Sequence, residues 1–200
     1  MLVRSGRTAW DDAARLQGRT DLPLSESGRE AVSANLADLV ATGTVGHPAI
    51  VYCAEDEASR QTAELLAGAT GARVRSEPEF ACMDLGIWDG LLESQVLDRF
   101  PSAYRQWKER PSTVNPPEGE TFEEADTRLR LAVGRVLDRA NGKPVAFVLR
   151  PLAYALIGCW LEGRSPDEIW SVLEDGPQAK RLGVTRVFVR ESLEALKART

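Results

Sequence analysis

Residues whose chemistry invites a functional reading gather at two places in the chain. Arg4-Ser5-Gly6 follows the short apolar run at the start, and Arg150 follows the apolar run Val145–Leu149. An arginine beside a flexible glycine at the carboxyl end of a strand is where an α/β protein holds an anion, because cationic and backbone N–H groups converge there. Ser5 adds a hydroxyl, which attacks an electrophile only when a neighbouring base takes its proton. The chain has one histidine, His47, set between Gly46 and Pro48 in a turn context far in sequence from either arginine. It reads as an exposed residue without a chemical role. A single imidazole excludes every mechanism that needs two, whether a His-rich metal cluster or a nucleophile and relay pair.

The three cysteines, Cys53, Cys82 and Cys159, are odd in number and show no C-x-x-C spacing. Neither a disulfide framework nor a zinc site follows, and a reducing cytosol suits them. Arg60 comes one residue too late after Cys53 for the C-x5-R loop of a thiol phosphatase, and Glu55, Asp56 and Glu57 would raise the thiol pKa. All three cysteines read as small buried hydrophobes.

These groups need a scaffold that brings two strand ends together. Short apolar runs alternate with amphipathic stretches, a pattern that predicts an α/β fold with a largely parallel sheet. Strands are predicted at Met1–Val3, Ala49–Cys53, Val145–Leu149 and Val184–Val189, with a weaker one at Ala72–Arg75. Helical periodicity marks Ser27–Ala41, Glu57–Ala69, Leu91–Phe100, Ala103–Glu109, Phe122–Ala140, Pro151–Leu161 and Pro166–Leu173. Gly43, Gly71 and Gly142 stand where helices end on a left-handed residue, and Ser165 with Glu168 forms a capping box. The turn-rich stretch Arg110–Gly119 is a surface loop, since neither flank holds enough strands for a core of its own. The tail Glu191–Thr200 suits either a docked helix or a frayed end. A length of 200 residues predicts a single domain over 1–200.

Apolar residues make up 43% of the chain and charged residues 28%, which excludes disordered, fibrous and membrane classes. A net charge of −5 with dispersed basic residues disfavours binding to nucleic-acid phosphates. The longest apolar run, Pro151 to Leu161, is too short to cross a bilayer, and the first residues lack an apolar signal segment. The expectation is a cytoplasmic protein with neither nucleic-acid nor membrane partners.

The opening segment LVRSGRTAWDDAARLQGRTDLPLSESGRE resembles that of the histidine phosphatase superfamily, the phosphoglycerate mutase-like proteins. Their signature is L-V-R-H-G-x-T-x-W-N followed by Q-G-x-x-D-x-P-L-T-x-x-G. Arg4, Gly6, Thr8, Trp10, Gln17, Gly18, Asp21, Pro23, Leu24 and Gly28 match it in place. Further matches follow in order at Gln61-Thr62-Ala63, Leu85–Gly90, Gly119-Glu120-Thr121 with Arg128, and the strand Val145–Leu149. The resemblance implies a three-layer α/β/α sandwich with a central, mostly parallel sheet. It also implies a site at the strand carboxyl ends, where a histidine is transiently phosphorylated among two arginines, a second histidine and a glutamate.

The departures fall on that site. The phosphorylated histidine of the pattern falls on Ser5, the second arginine on Ala58, the acid/base glutamate on Cys82 and the second histidine on Arg150. The asparagine after the tryptophan falls on Asp11, which would repel a phosphate. The leading expectation is therefore a pseudophosphatase with a binding, regulatory or structural role, without metal or cofactor. Its candidate ligands for a small anion, a phosphate, carboxylate or phosphoester, are Arg4, Ser5, Gly6, Thr8, Gln17, Gly18 and Arg150. Two arrangements are open: an electropositive pocket at Arg4 and Arg150, or a pocket closed by pairing of Arg4 with Asp11, Glu55 or Asp56. An alternative is an enzyme of altered chemistry that uses Ser5, Cys82 or a carboxylate such as Asp11 or Glu55. A third reading is a scaffold subunit whose old cleft is filled by side chains.

The tryptophans Trp10, Trp88, Trp107, Trp160 and Trp170 fall in amphipathic patterns where core packing is the default. The acidic residues Glu118, Glu120, Glu123, Glu124 and Asp126 suit a helix start better than a metal site. The resemblance also carries an expectation of a helix-mediated homodimer.

Overall fold

A computed structural model describes residues 1–198. Five strands form one sheet: β1 (Leu2–Arg4), β2 (Ile50–Cys53), β3 (Arg73–Ser76), β4 (Val145–Leu149) and β5 (Ala179–Lys180), in the order β3-β2-β4-β1-β5. All pairings are parallel except that of β5 with β1. The central strand β4 is buried throughout, as its unbroken apolar run requires when both faces are covered. Helices cover both faces of the sheet, and apolar residues divide into two clusters, one around Phe147 and Leu149 and the other around Val51, Ala146 and Val148. These alternating residues of β4 serve opposite layers, which is the period of two that a strand imposes.

Among the described residues, helices form at each of the seven stretches where the pattern predicts one, and at two more, α1 and α9. They are α1 (Ala9–Asp12), α2 (Glu26–Ala41), α3 (Glu57–Thr70), α4 (Glu93–Arg99), α5 (Pro101–Glu109), α6 (Phe122–Ala140), α7 (Pro151–Glu162), α8 (Ile169–Glu174) and α9 (Arg186–Lys197). In α6 the buried set Phe122, Ala125, Leu129, Ala132, Val133 and Val136 recurs at three and four residues, one apolar stripe laid on the core. Thr121 and Glu124 cap its start reciprocally. By contrast, α7 is buried from Leu152 to Trp160 on every side. Trp88, Trp107 and Trp170 stack edge to face, with ring centroids 6.0 and 5.4 Å apart, so these three indoles pack in or against the core as their patterns predict. The Arg110–Gly119 stretch is a loop carrying one short 3-10 turn.

One expectation is corrected. The stretch Val184–Val189 is not a strand: α9 begins within it. Thr185 accepts a hydrogen bond from the Phe188 N–H, and the inward residues Val189 and Leu196 are spaced for a helix. Leu193 between them presses on Gly134 of α6, whose missing side chain lets the two helices approach. Helical period outweighs the β-branched run there. The fifth strand is instead β5, two residues long and too short to show any alternation. The predicted tail is thus helix through Lys197, and its last two residues, Arg199 and Thr200, lie outside the described residues. Among the described residues, no helix is long and apolar enough to cross a membrane.

The segment joining β1 to α2 is held by close backbone packing. The Ser25 N–H donates to the Arg7 carbonyl at 2.9 Å, and a Cβ at Gly28 would run into that same carbonyl. Gly28→Ala therefore lowers stability by about 1–3 kcal/mol, the usual cost of forcing atoms into packed space. Gly68, exposed in α3 with nothing within 4 Å of the place a methyl would take, is the control. Gly68→Ala raises stability by about 0.5–1 kcal/mol through helix propensity, and urea unfolding of the two variants distinguishes the signs.

Candidate functional site

Strand register builds the site. Arg4 of β1 lies opposite Leu149 of β4, so the chain leaves both strands side by side and places Ser5 next to Arg150. The Ser5 N–H donates to the Leu149 carbonyl at 2.8 Å and ties the two exits together. Gly6 then donates its N–H to the Thr62 hydroxyl at 3.0 Å, and that hydroxyl donates to the Ala58 carbonyl at 2.8 Å. Arg150 is followed at once by Pro151, which opens α7 with its φ preset but offers no N–H to a ligand.

Arg150 is only 2% exposed, and its guanidinium fills the space between the strand ends. It donates to Ser5 Oγ and the Gly6 carbonyl, both at 3.3 Å, to the Asp11 carboxylate at 3.1 and 3.0 Å, and to Gln17 Oε1 at 2.8 Å. The surrounding groups are themselves braced. Asp11 closes a capping box with Thr8 at the start of α1, the Thr8 hydroxyl donates to Gln17 Oε1 at 2.6 Å, and Gln17 donates to the Thr20 carbonyl at 2.8 Å. Arg150 Nε alone has no partner. The structure thus gathers Ser5, Gly6, Thr8, Gln17 and Arg150 around one guanidinium, with Arg4 beside them. Gly18 faces a separate hollow of about 250 Å³ that it shares with Cys82, Glu55 and Asp56. A Cβ at Gly18 would stand 2.7 Å from the Met83 carbonyl, so only glycine fits between the two loops.

Of the two arrangements left open for Arg4, pairing with Asp11, Glu55 or Asp56 is absent among the described residues. Arg4 donates to the Leu173 carbonyl at 2.8 Å, while Asp11 is taken by Arg150, Asp56 caps α3 through the Ser59 N–H, and Glu55 is exposed. Among the described residues, no carboxylate lies within ion-pairing distance of Arg4. It borders a cleft of about 370 Å³ together with Ser5, Gly6, Arg7, Asp11 and Arg15. Arg60, near the position of the missing second arginine, turns away to pair with Glu57.

The ionisation of the nucleophile candidates is unfavourable. Burial pushes the Cys82 thiol up to about 11, although the nearby Arg150 charge pulls the other way, and burial likewise raises Cys53 and Cys159 to about 11. Arg150 meets Ser5 as a hydrogen-bond donor, and a guanidinium offers no acceptor atom to take the hydroxyl proton. His47 is exposed just before β2, at the opposite edge of the sheet. Of the acidic cluster, Glu120 pairs with Arg128 and Arg19, Glu124 caps α6 and Asp126 pairs with Arg130. Arg128 also reaches the carbonyls of Glu79 and Ala81, which fixes the loop that carries Cys82.

Residues 1–182 match the family model described as histidine phosphatase superfamily (branch 1), and the chain belongs to that superfamily. A relative in Hydrogenobacter thermophilus, phosphoserine phosphatase 1, is 26% identical over 171 residues, covering 86% of this chain and 79% of that protein. A probable phosphoglycerate mutase GpmB of Photorhabdus laumondii is 29% identical over 165 residues, with coverage of 79% and 70%. Among solved structures, Bacillus stearothermophilus YhfR superposes with a TM-score of 0.75 at 25% identity, over 85% of this chain and 82% of that one. A mycobacterial glucosyl-3-phosphoglycerate phosphatase gives 0.72 at 25% identity, over 86% and 82%.

Sequence reasoning placed Arg150 and Asp11 at the site but missed that they hold each other. It also missed Thr62, which receives the Gly6 N–H. A carboxylate three residues after Thr8 and an arginine at the parallel strand end were the available signals. Two outcomes follow. Arg150→Met leaves Asp11 without its partner and lowers stability by about 3 kcal/mol in urea unfolding, and a concurrent Asp11→Leu change recovers part of the loss. The thiols, protonated in the fold up to about pH 11 but only to about 9 when unfolded, stabilise the fold below pH 9. That contribution declines as pH rises from 9 to 11, and thiol reagents at pH 8 label the native protein far more slowly than the unfolded chain.

Proposed function

We propose that this protein is a pseudophosphatase, a member of its superfamily that performs no phosphoryl transfer and acts by binding a small anion at the Arg4 cleft. The reading rests above all on one contact, that between Ser5 Oγ and the Arg150 guanidinium. In the superfamily pattern these two positions carry the histidines of the reaction, and here they carry a hydroxyl and a guanidinium. The hydroxyl has a donor beside it where a nucleophile needs an acceptor. Asp11, the nearest carboxylate, is engaged by Arg150 through both oxygens.

Support for the binding role comes from Arg4, whose cation lacks a carboxylate partner among the described residues and borders an open cleft. Arg15 adds positive charge on its wall against Glu93, while Arg7 is paired with Asp12 at 2.9 Å and Asp11 with Arg150. A phosphate, carboxylate or phosphoester suits that surface. The alternative of an enzyme with altered chemistry has less support, because the Cys82 thiol stays protonated and Asp11 is held as an ion pair. A fully filled cleft also fits less well than the space that remains beside Arg4. The three unpaired buried cysteines suit a reducing compartment.

The test is turnover and binding on the purified protein. Incubation with p-nitrophenyl phosphate, phosphoserine or 3-phosphoglycerate gives no more product than the Arg4→Ala variant does, while inorganic phosphate binds the wild type about tenfold more tightly than Arg4→Ala. Turnover that disappears on Ser5→Ala substitution overturns the reading.

A further inference from the structure

A further cavity, about 370 Å³ in volume, lies at the amino-terminal edge of the sheet, the edge opposite Ser5 and Arg150. It is walled by the carboxyl end of α6, the turn before β2, the start of β4 and the first turn of α9. The floor is apolar, formed by Leu137, Leu182, Val184 and Val189. The rim carries His47, Lys143, Arg181 and Arg186, with Asp138 as its one acid. Asp138 already faces Arg190 at 3.7 Å. Among the described residues, no carboxylate lies within ion-pairing distance of Lys143, Arg181 or Arg186.

That concentration of charge needs a cause. The chain as a whole is negative, at −5, yet three unneutralised cations surround one apolar hollow. Lys143 follows the carboxyl end of α6, where the helix dipole accounts for a cation. Arg181 and Arg186 have no comparable support. Arg186 is the first residue of α9, whose first turn holds no acid, so it adds to the positive end of that helix rather than offsetting it. Arg181 leans over the turn that carries the histidine, since a Cβ on Gly46 would stand 3.9 Å from its Cζ. Two stretches of chain, the turn before β4 and residues 181–186, thus bring three cations to one mouth, and an anion bound there lowers the repulsion among them.

We propose that this cavity is a binding site for a small organic anion, whose apolar ring body rests on Leu137, Leu182 and Val189 and whose anionic headgroup is held by Lys143, Arg181 and Arg186. Its volume lies within the range of small-ligand sites. It shares no residue with the Arg4 cleft, so it stands whether or not that cleft binds an anion.

The sole histidine makes the experiment selective, because its ring proton gives one assignable NMR signal at the cavity rim. Naphthalene-1-sulfonate supplies a ring and a headgroup but no phosphoester. Naphthalene-1-methanol serves as the neutral analogue and inorganic sulfate as the headgroup alone. With naphthalene-1-sulfonate the His47 signal moves saturably, and calorimetry gives a Kd that weakens about tenfold in the Arg181→Gln/Arg186→Gln double variant. Both arginines are exposed, and the melting temperature of the variant stays at the wild-type value. The sulfonate binds more tightly than either control, and Arg4→Ala leaves its affinity unchanged. Absence of saturable binding, equal affinity for the alcohol or for the double variant, or loss of binding in Arg4→Ala overturns the proposal.

Discussion

A guanidinium buried to 2% exposure is the constraint around which this end of the molecule is arranged. Removing such a charge from water costs several kcal/mol unless its donors are met and its charge is balanced. The Arg150 head therefore dictates what stands near it: a carboxylate from α1, an amide oxygen from Gln17, a backbone carbonyl from Gly6 and a hydroxyl from Ser5. Each of these is in turn fixed by something else. The capping box that starts a helix of four residues holds the Asp11 carboxylate in line, and Thr8 and Thr20 hold the Gln17 amide by its two ends. The short helix α1, with no fully buried residue of its own, is held by this charge and by Trp10, whose ring packs against Gly90.

Much of the architecture was legible in the chain, because it depends on patterns that local chemistry writes plainly. The bounds of α6 were read without error from its helical period and from Gly142 ahead of β4, and in the fold a capping box opens the helix and a left-handed Asn141 closes it. The run Val145–Leu149 was read equally well, since a strand buried on both faces shows as a continuous apolar stretch. What failed was short or ambiguous. Val184–Val189 carries β-branched residues that favour a strand, but Thr185 as a cap and the contact of Leu193 with Gly134 lie partly beyond the window that suggested it. The edge strand β5 has two residues and owes its conformation to β1, so it leaves no local mark.

The site was legible in outline only. That two strand ends would meet followed from the order of elements, and the positions at which the family pattern is broken could be counted. Which arginine would take Asp11 could not, because it depends on a register of strands separated by more than a hundred residues. Strand register settles it in favour of Arg150 and leaves Arg4 with a carbonyl partner only. The same limit hid the cavity at the other edge, whose cations come from segments that no motif connects.

The placement of Arg150 directly before α7 also bears on how this chain can change over generations. The helix that follows is enclosed on all sides from Leu152 to Trp160, so the backbone at 150 has no freedom to move a new side chain toward water. A replacement there strands the Asp11 carboxylate, and a replacement of Asp11 strands the guanidinium. A change at either position alone lowers stability, and a joint change recovers part of the loss. The ion pair acts as a ratchet: once the charges settled into the space between the strand ends, each one-step path back to another chemistry runs through a less stable protein.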